Sequence, residues 1–177
     1  VGTLDALLSQ SDLWWSDAVI LVLLGTNPHP FGRLFDEVKR IAVTREGRFI
    51  VQAGTTPFDP KPALECYSFV EKEQIFRWIN EADVVICQGG FGSIHDCLRA
   101  GKKVISVPRK PELNESTDGQ EELVRALDQM GYLIGVFDVK DLEGALDRVE
   151  KFTPKPLEES RIPKIVSDYV HGLLGII

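Results

Sequence analysis

Six short runs of aliphatic and β-branched residues alternate with stretches of helical spacing, and this alternation restricts the fold more than any other feature of the chain. The runs cover residues 18–24 (AVILVLL), 48–53 (RFIVQA), 65–69, 83–88 (DVVICQ), 103–107 (KVISV) and 132–137. Between them, residues 31–43 place Phe31, Leu34, Phe35, Val38, Ile41 and Ala42 on one helical face. Further helices are expected over 73–81, 93–100, 121–130 and 142–149. Strands this short, separated by helices of this length, cannot pair as hairpins. They build βαβ units, hence a parallel sheet covered on both faces. The expectation is an α/β fold, a Rossmann-like doubly wound parallel sheet over residues 17–150.

The two ends read differently. Residues 1–16 form an N-terminal helical appendage in which Leu4, Leu7, Leu8 and Trp15 share a stripe. Residues 151–177 read as a linker containing Pro154 and Pro156, then an amphipathic helix capped by Ser160. Its apolar side carries Ile162, Ile165, Val166, Tyr169, Val170, Leu173 and Leu174. That stripe and the Trp14-Trp15 pair are either docking surfaces for a partner or parts of the domain's own core.

Charge narrows the ligand. An excess of 27 acidic over 20 basic residues leaves a net charge of −7, which is unsuited to general nucleic-acid binding. One phosphorylated small molecule in a local pocket fits better. Cys66, Cys87 and Cys97 make no CxxC pair and have no metal-ligand spacing. No metal site is expected, Cys87 and Cys97 are read as small buried residues, and the lack of a disulfide framework fits a reducing compartment. The first residues are neither basic nor continuously apolar, and the run over 18–24 is far too short to span a bilayer. A cytoplasmic location is expected, with a partner drawing the chain to the membrane.

In an open parallel sheet, ligands bind at the carboxyl ends of the strands, where the strand order reverses. Loops leave that edge after the first, second, fourth and fifth runs. The most informative is Gly89-Gly90-Phe91-Gly92-Ser93, between a strand and a helix. Its glycines allow close approach of an anion, and the following helix offers unpaired N–H groups. A diphosphate would lie against the N–H groups of Gly92, Ser93 and Ile94. The spacing is not the dinucleotide fingerprint, because its third glycine would fall at His95. Asp96, three residues past Ser93, suits either ribose hydroxyls or the helix dipole. Gln120 suits sugar hydroxyls, while Arg33 and Arg109 either reach phosphate oxygens or stay solvated. His29 and His95 have no neighbouring nucleophile in sequence and suggest no triad.

Three stretches, LVLLGTNPHPFGRL, EADVVICQGGFGSIHDCLRAGKKVISVPR and DGQEELVRAL, together resemble the C-terminal domain of the family 28 glycosyltransferases. The likeness runs from about Ile20 to Val149. It is greatest to small single-domain members that act as half of a two-subunit enzyme, as in dolichol-linked N-acetylglucosaminyltransferases and bacterial exopolysaccharide glycosyltransferases. The resemblance implies one half of a GT-B architecture and a UDP-sugar donor, with no further cofactor. It implies that Gly90, Gly92 and Ser93 hold the diphosphate, that Asp96 binds the ribose and that Gln120 contacts the donor. Gly25 and Thr26 face the donor from the first strand, and Val107-Pro108-Arg109 matches a family motif. Gln88-Gly89-Gly90 stands where the family commonly has His-Ala-Gly, and Gly119 stands where a His precedes the glutamine.

The function so implied is inverting transfer from UDP-N-acetylglucosamine or a UDP-hexose to a glycan or lipid-linked acceptor. The acceptor half and the general base come from a membrane-associated subunit or a second copy, and no catalytic residue is assigned in this chain. The alternative is a non-catalytic nucleotide-sugar-binding or regulatory subunit. A GT-B epimerase fits poorly, since it needs two joined domains.

Overall fold

The computed structural model describes residues 10–59 and 64–157. Strands β1 (Val19–Leu23), β2 (Arg48–Gln52), β3 (Leu64–Tyr67), β4 (Val84–Gln88), β5 (Lys103–Val107) and β6 (Ile134–Gly135) form one parallel sheet. Their spatial order is β3-β2-β1-β4-β5-β6. The order reverses between β1 and β4, where crossovers on either side turn away and leave a crevice. The helices are α1 (Gln10–Asp17), α2 (Gly32–Thr44), α3 (Lys72–Glu81), α4 (Phe91–Arg99), α5 (Glu121–Gln129) and α6 (Leu142–Val149).

Alternation along each strand divides the core in two. Ile20, Val22, Phe49, Val51, Val84, Ile86 and Ile105 point to one face and pack on α2 and α6. Leu21, Leu23, Ile50, Val85, Cys87 and Val104 point to the other, beneath α3, α4 and α5. The central strands are therefore buried on both sides, which is why they read as unbroken apolar runs. Burial pushes the Cys87 thiol up to about 12 and raises Cys97 as well, in keeping with inert core residues.

Three expected features change in the structure. The run over 132–137 contributes only two paired residues, because β6 lies at the sheet's edge and pairs only with β5. Helix α4 begins at Phe91 with Gly90 as its N-cap, inside the stretch read as loop. The polar segment after β5 contains a short 3-10 turn, Pro111–Leu113, closed by Asn114 in the left-handed region.

The tryptophan pair is resolved in favour of the core at Trp15. Its ring is buried with the α2 face and meets Trp14 edge-on at 4.5 Å, with the Arg45 guanidinium 4.5 Å over it. The stripe over Leu4–Leu8 and the amphipathic segment at 160–177 lie outside the described residues.

Candidate functional site

The β1 and β2 loops meet backbone to backbone at the crevice. Gly25 and Gly54 both have positive φ, and a Cβ on Gly54 would lie 2.1 Å from the Gly25 carbonyl oxygen. Only glycine fits there. Gln52, at the end of β2 and 5% exposed, locks this approach with both ends of its amide. Its Oε1 accepts from the Gly25 N–H at 3.2 Å, and its Nε2 donates to the carbonyls of Gly25 (3.2 Å) and Ser68 (3.1 Å). The Phe31 N–H ahead of α2 is taken by the Thr56 hydroxyl at 2.9 Å.

Beside this clamp lies a cleft of about 350 Å³ lined by Leu23, Gly25, Thr26, Gln52, Phe69, Val70, Ile75, Gln88, Gly92 and Ser93. It sits where the strand order reverses, over the start of α4. No side chain caps that helix, so the N–H groups of Phe91, Gly92 and Ser93 have no partner of their own turn. Around Gly92 there is open space, and a Cβ placed on it would meet nothing within 4 Å. The lining contains apolar surface on one side and neutral hydroxyl, amide and N–H groups on the other. None of its side chains is charged. Such a wall can seat a flat, partly apolar group and an anion whose charge is balanced by N–H dipoles.

Of the residues expected at the site, Gly25, Thr26, Gly92 and Ser93 line the cleft together. Gly90 stands just behind them as the N-cap. Asp96 lies one helical turn past Ser93, partly exposed, with its carboxylate 3.8 Å from His95 Nδ1. His95 in turn stacks on the exposed Phe91 at 5.4 Å. Gln120 does not line the cleft itself; it is bonded to Gln88, which does, and to the Arg109 backbone.

Two expectations are corrected. The Ile94 N–H already donates to Gly90 O at 3.2 Å, as the first bond of α4, and its side chain is buried. It therefore has no donor for a ligand. Arg109 neither faces the cleft nor sits in solvent. It is 1% exposed, and its guanidinium donates to the carbonyls of Leu24 (2.7 Å), His29 (2.8 Å) and Glu115 (2.6 Å). The ring of Phe31 lies 4.6 Å beneath it. Burial pushes this guanidinium down to about 10, still a cation at neutral pH. Arg33 is engaged in the same knot, with a two-pronged bond to Glu115 at 2.9 Å and a third to Pro108 O at 3.0 Å. Arg109 is thus not available to phosphate, and Arg33 ties α2 to the segment after β5.

Gln52 and Gln88 line the cleft, yet neither was among the site residues expected from sequence. Each is the last residue of a central strand, and that position was the signal: a polar residue ending an apolar run at the ligand edge.

The glycosyltransferase family 28 C-terminal domain matches this chain over residues 19–171. The chain belongs to this family. Similar folds include the calicheamicin glycosyltransferase CalG4, 16% identical with a TM-score of 0.61 over 92% of this chain. The solution NMR structure of ALG13 is 17% identical with a TM-score of 0.55, covering 86% of this chain and 94% of ALG13. MurG of Acinetobacter baumannii is 16% identical with a TM-score of 0.54 over 77% of this chain. The chain spans only 43% of CalG4 and 43% of MurG. At these identities the likeness concerns the fold: a six-stranded parallel sheet of the Rossmann type, shared with GT-B glycosyltransferases. No curated protein matches the chain by sequence. Among the described residues no helix is long and apolar enough to cross a membrane.

Proposed function

We propose that this family member is the donor-binding subunit of an inverting glycosyltransferase. The cleft takes UDP-N-acetylglucosamine or another UDP-hexose, with the diphosphate against the start of α4. The observation that carries this reading is the uncapped N-terminus of α4 opening, beside the β1 loop, into the crevice at the strand reversal. As the bond to the sugar breaks, negative charge grows on the departing UDP. Fixed N–H groups and hydroxyls stabilise that charge without reorganising.

The acceptor hydroxyl must lose a proton, and no carboxylate, imidazole or amine among the described residues lines the cleft. This favours a base supplied from outside the chain, by a membrane-associated acceptor-binding subunit or by a second copy. The same observation favours the second reading, a nucleotide-sugar-binding subunit without turnover of its own.

Calorimetric titration with UDP, UDP-N-acetylglucosamine, UDP-glucose and ADP tests the donor site. Binding selective for the uridine nucleotides, weakened in Asp96→Ala, is the expected result. Failure of every nucleotide to bind overturns the reading. Full sugar transfer by the chain shown to be monomeric under the assay conditions would instead overturn the externally supplied base.

A further inference from the structure

Gly25 leads the β1 turn, buried and with a φ of 85°, so it carries the turn's widest choice of backbone conformers. The residues around it are held from outside the turn. Arg109 donates to the carbonyls of Leu24 and His29, the Thr55 hydroxyl donates to Asn27 O at 2.9 Å, and the Thr56 hydroxyl accepts the Phe31 N–H. Gly25 itself depends on one side chain. Among the described residues its N–H and its carbonyl are hydrogen-bonded to the Gln52 amide alone, each at 3.2 Å. The third bond of that amide goes to Ser68 O at 3.1 Å, which also accepts the Gly54 N–H at 2.8 Å. Without Gln52, Ser68 would keep a partner and Gly25 would keep none.

The signs of these groups fix the amide. An N–H only donates and a carbonyl only accepts, so Oε1 faces the Gly25 N–H and Nε2 faces the two carbonyls. Both Nε2 hydrogens are thereby engaged. A trans peptide directs its N–H away from its carbonyl. With Gly25 O turned to Gln52, the N–H of the same peptide, that of Thr26, is turned away from it. Thr26 is an exposed residue of the cleft lining, and its N–H has no partner among the described residues.

We infer that Gln52 is a positioning residue for the β1 turn: by holding both polar groups of Gly25 it fixes the Gly25–Thr26 peptide with the Thr26 N–H turned outward, as a donor to an oxygen of the bound ligand. Gln52 acts through Thr26, since both ends of its own amide are engaged by backbone. For the identity of that ligand the inference rests on the donor-site reading above. The device works by selection among glycine conformers. Rotating the Gly25–Thr26 peptide exchanges its two ends and turns a carbonyl oxygen outward, which repels an anion. The same rotation sets an N–H against the Nε2 donor of Gln52. That clash removes the rotated form, and an amide that does not titrate keeps it removed at every pH at which the protein is folded.

Two variants of similar shape test the assignment, with UDP as the calorimetric probe and each affinity taken as a ratio to wild type at the same pH. Gln52→Met removes all three bonds and should weaken UDP by about tenfold at every pH, the effect of one hydrogen bond to a charged group. Gln52→Glu is rescued by its proton. The neutral carboxyl still accepts from the Gly25 N–H and donates one O–H to the facing carbonyls, and burial beside those carbonyls raises the pH at which it forms. Titrated down until its carboxyl 13C shift shows the neutral form, Gln52→Glu should bind UDP within about twofold of wild type. Wild-type affinity in Gln52→Met overturns the inference. So does a neutral Gln52→Glu as weak as Gln52→Met.

The free protein supplies a readout independent of any ligand. The NOE between Gly25 Hα and the Thr26 N–H reports the plane of their peptide. It should change in Gln52→Met and keep its wild-type intensity in neutral Gln52→Glu; an unchanged NOE in Gln52→Met rules the device out. Should Gln52→Met fail to fold, the ionised form of Gln52→Glu takes its place in this comparison. If wild type binds no UDP, the donor-site reading fails, and the NOE still decides what Gln52 does.

Discussion

The Arg109 knot and the cleft beside Gln88 share the carboxyl edge of one sheet, yet they handle charge in opposite ways. The knot gathers two guanidiniums and the Glu115 carboxylate around Phe31, and bonds Arg109 to three backbone carbonyls. Among the described residues the cleft is lined by no charged side chain, but by glycines, hydroxyls, amides and apolar groups. Charge here serves as scaffold, while neutral dipoles are left for the ligand. The division has a physical logic. A buried cation needs acceptors to offset its lost hydration. Arg109 has three, on its two terminal nitrogens, while its Nε is buried with no partner among the described residues, and none of these groups opens to a substrate. An N–H dipole at a helix start is fixed by the fold and needs no such shell.

The sharpest way to break this comparison is at Arg109. If it is scaffold, Arg109→Met should lower stability to urea by about 3–5 kcal/mol, because three carbonyls lose their donor in a site closed to water. If Arg109 instead serves the ligand, stability should hold and nucleotide affinity should fall. Chemical denaturation and titration of the same preparation separate the two. Arg109→Lys should rescue little, since one ammonium cannot reproduce the planar fork that reaches Leu24, His29 and Glu115.

The converse experiment belongs at Gly92. A Cβ placed on it meets nothing within 4 Å and its φ is not positive, so the backbone accepts a side chain there. Gly92→Asp puts a carboxylate in the first turn of α4, where the helix dipole favours it by about 0.3–1 kcal/mol. Thermal stability should therefore hold or rise. UDP affinity should nevertheless fall by about a hundredfold, roughly 2.7 kcal/mol, through repulsion of the diphosphate. Unchanged UDP binding in that variant would mean the anion does not sit at the start of α4.

Legibility from sequence follows the same division. The sheet could be read because its central strands are buried on both faces, and residues 18–24 and 83–88 show this as unbroken apolar runs. The cleft residues Gly25, Thr26, Gly92 and Ser93 could be read because glycine-rich turns between strand and helix have few other uses. Arg109 could not. Its neighbours Leu24, His29 and Glu115 are distant in the chain or lie across a turn, and only the folded backbone brings their carbonyls around it. A sequence reading assigns a lone arginine near a ligand loop either to phosphate or to solvent; burial among carbonyls is a tertiary fact. Gln120 is bonded to the cleft residue Gln88, but that partner and the Arg109 N–H arise from the packing of two loops. Ile94 shows the same limit on a scale of a few residues, since the start of α4 at Phe91 decides which N–H groups are free.

A second charge cluster refines the contrast, because it has the geometry of the knot without its burial. Arg48 on β2 holds Glu65 on β3 through both carboxylate oxygens, at 2.6 and 3.0 Å, and also bonds Glu81. The guanidinium holds the Glu65 carboxyl below its ordinary range. Both side chains are nearly half exposed, at 45% and 43%, so solvent screens the pair. Glu65→Gln should cost only about 0.5 kcal/mol at neutral pH, a small fraction of the loss at Arg109. The sign with pH is set by the lowered value. The pair's contribution is full above the unfolded carboxyl's pKa and fades as pH falls through the folded one. Wild type and variant should thus converge in acid, and also in high salt. A loss here as large as that at Arg109 would mean that geometry rather than burial decides what a charge contributes in this fold.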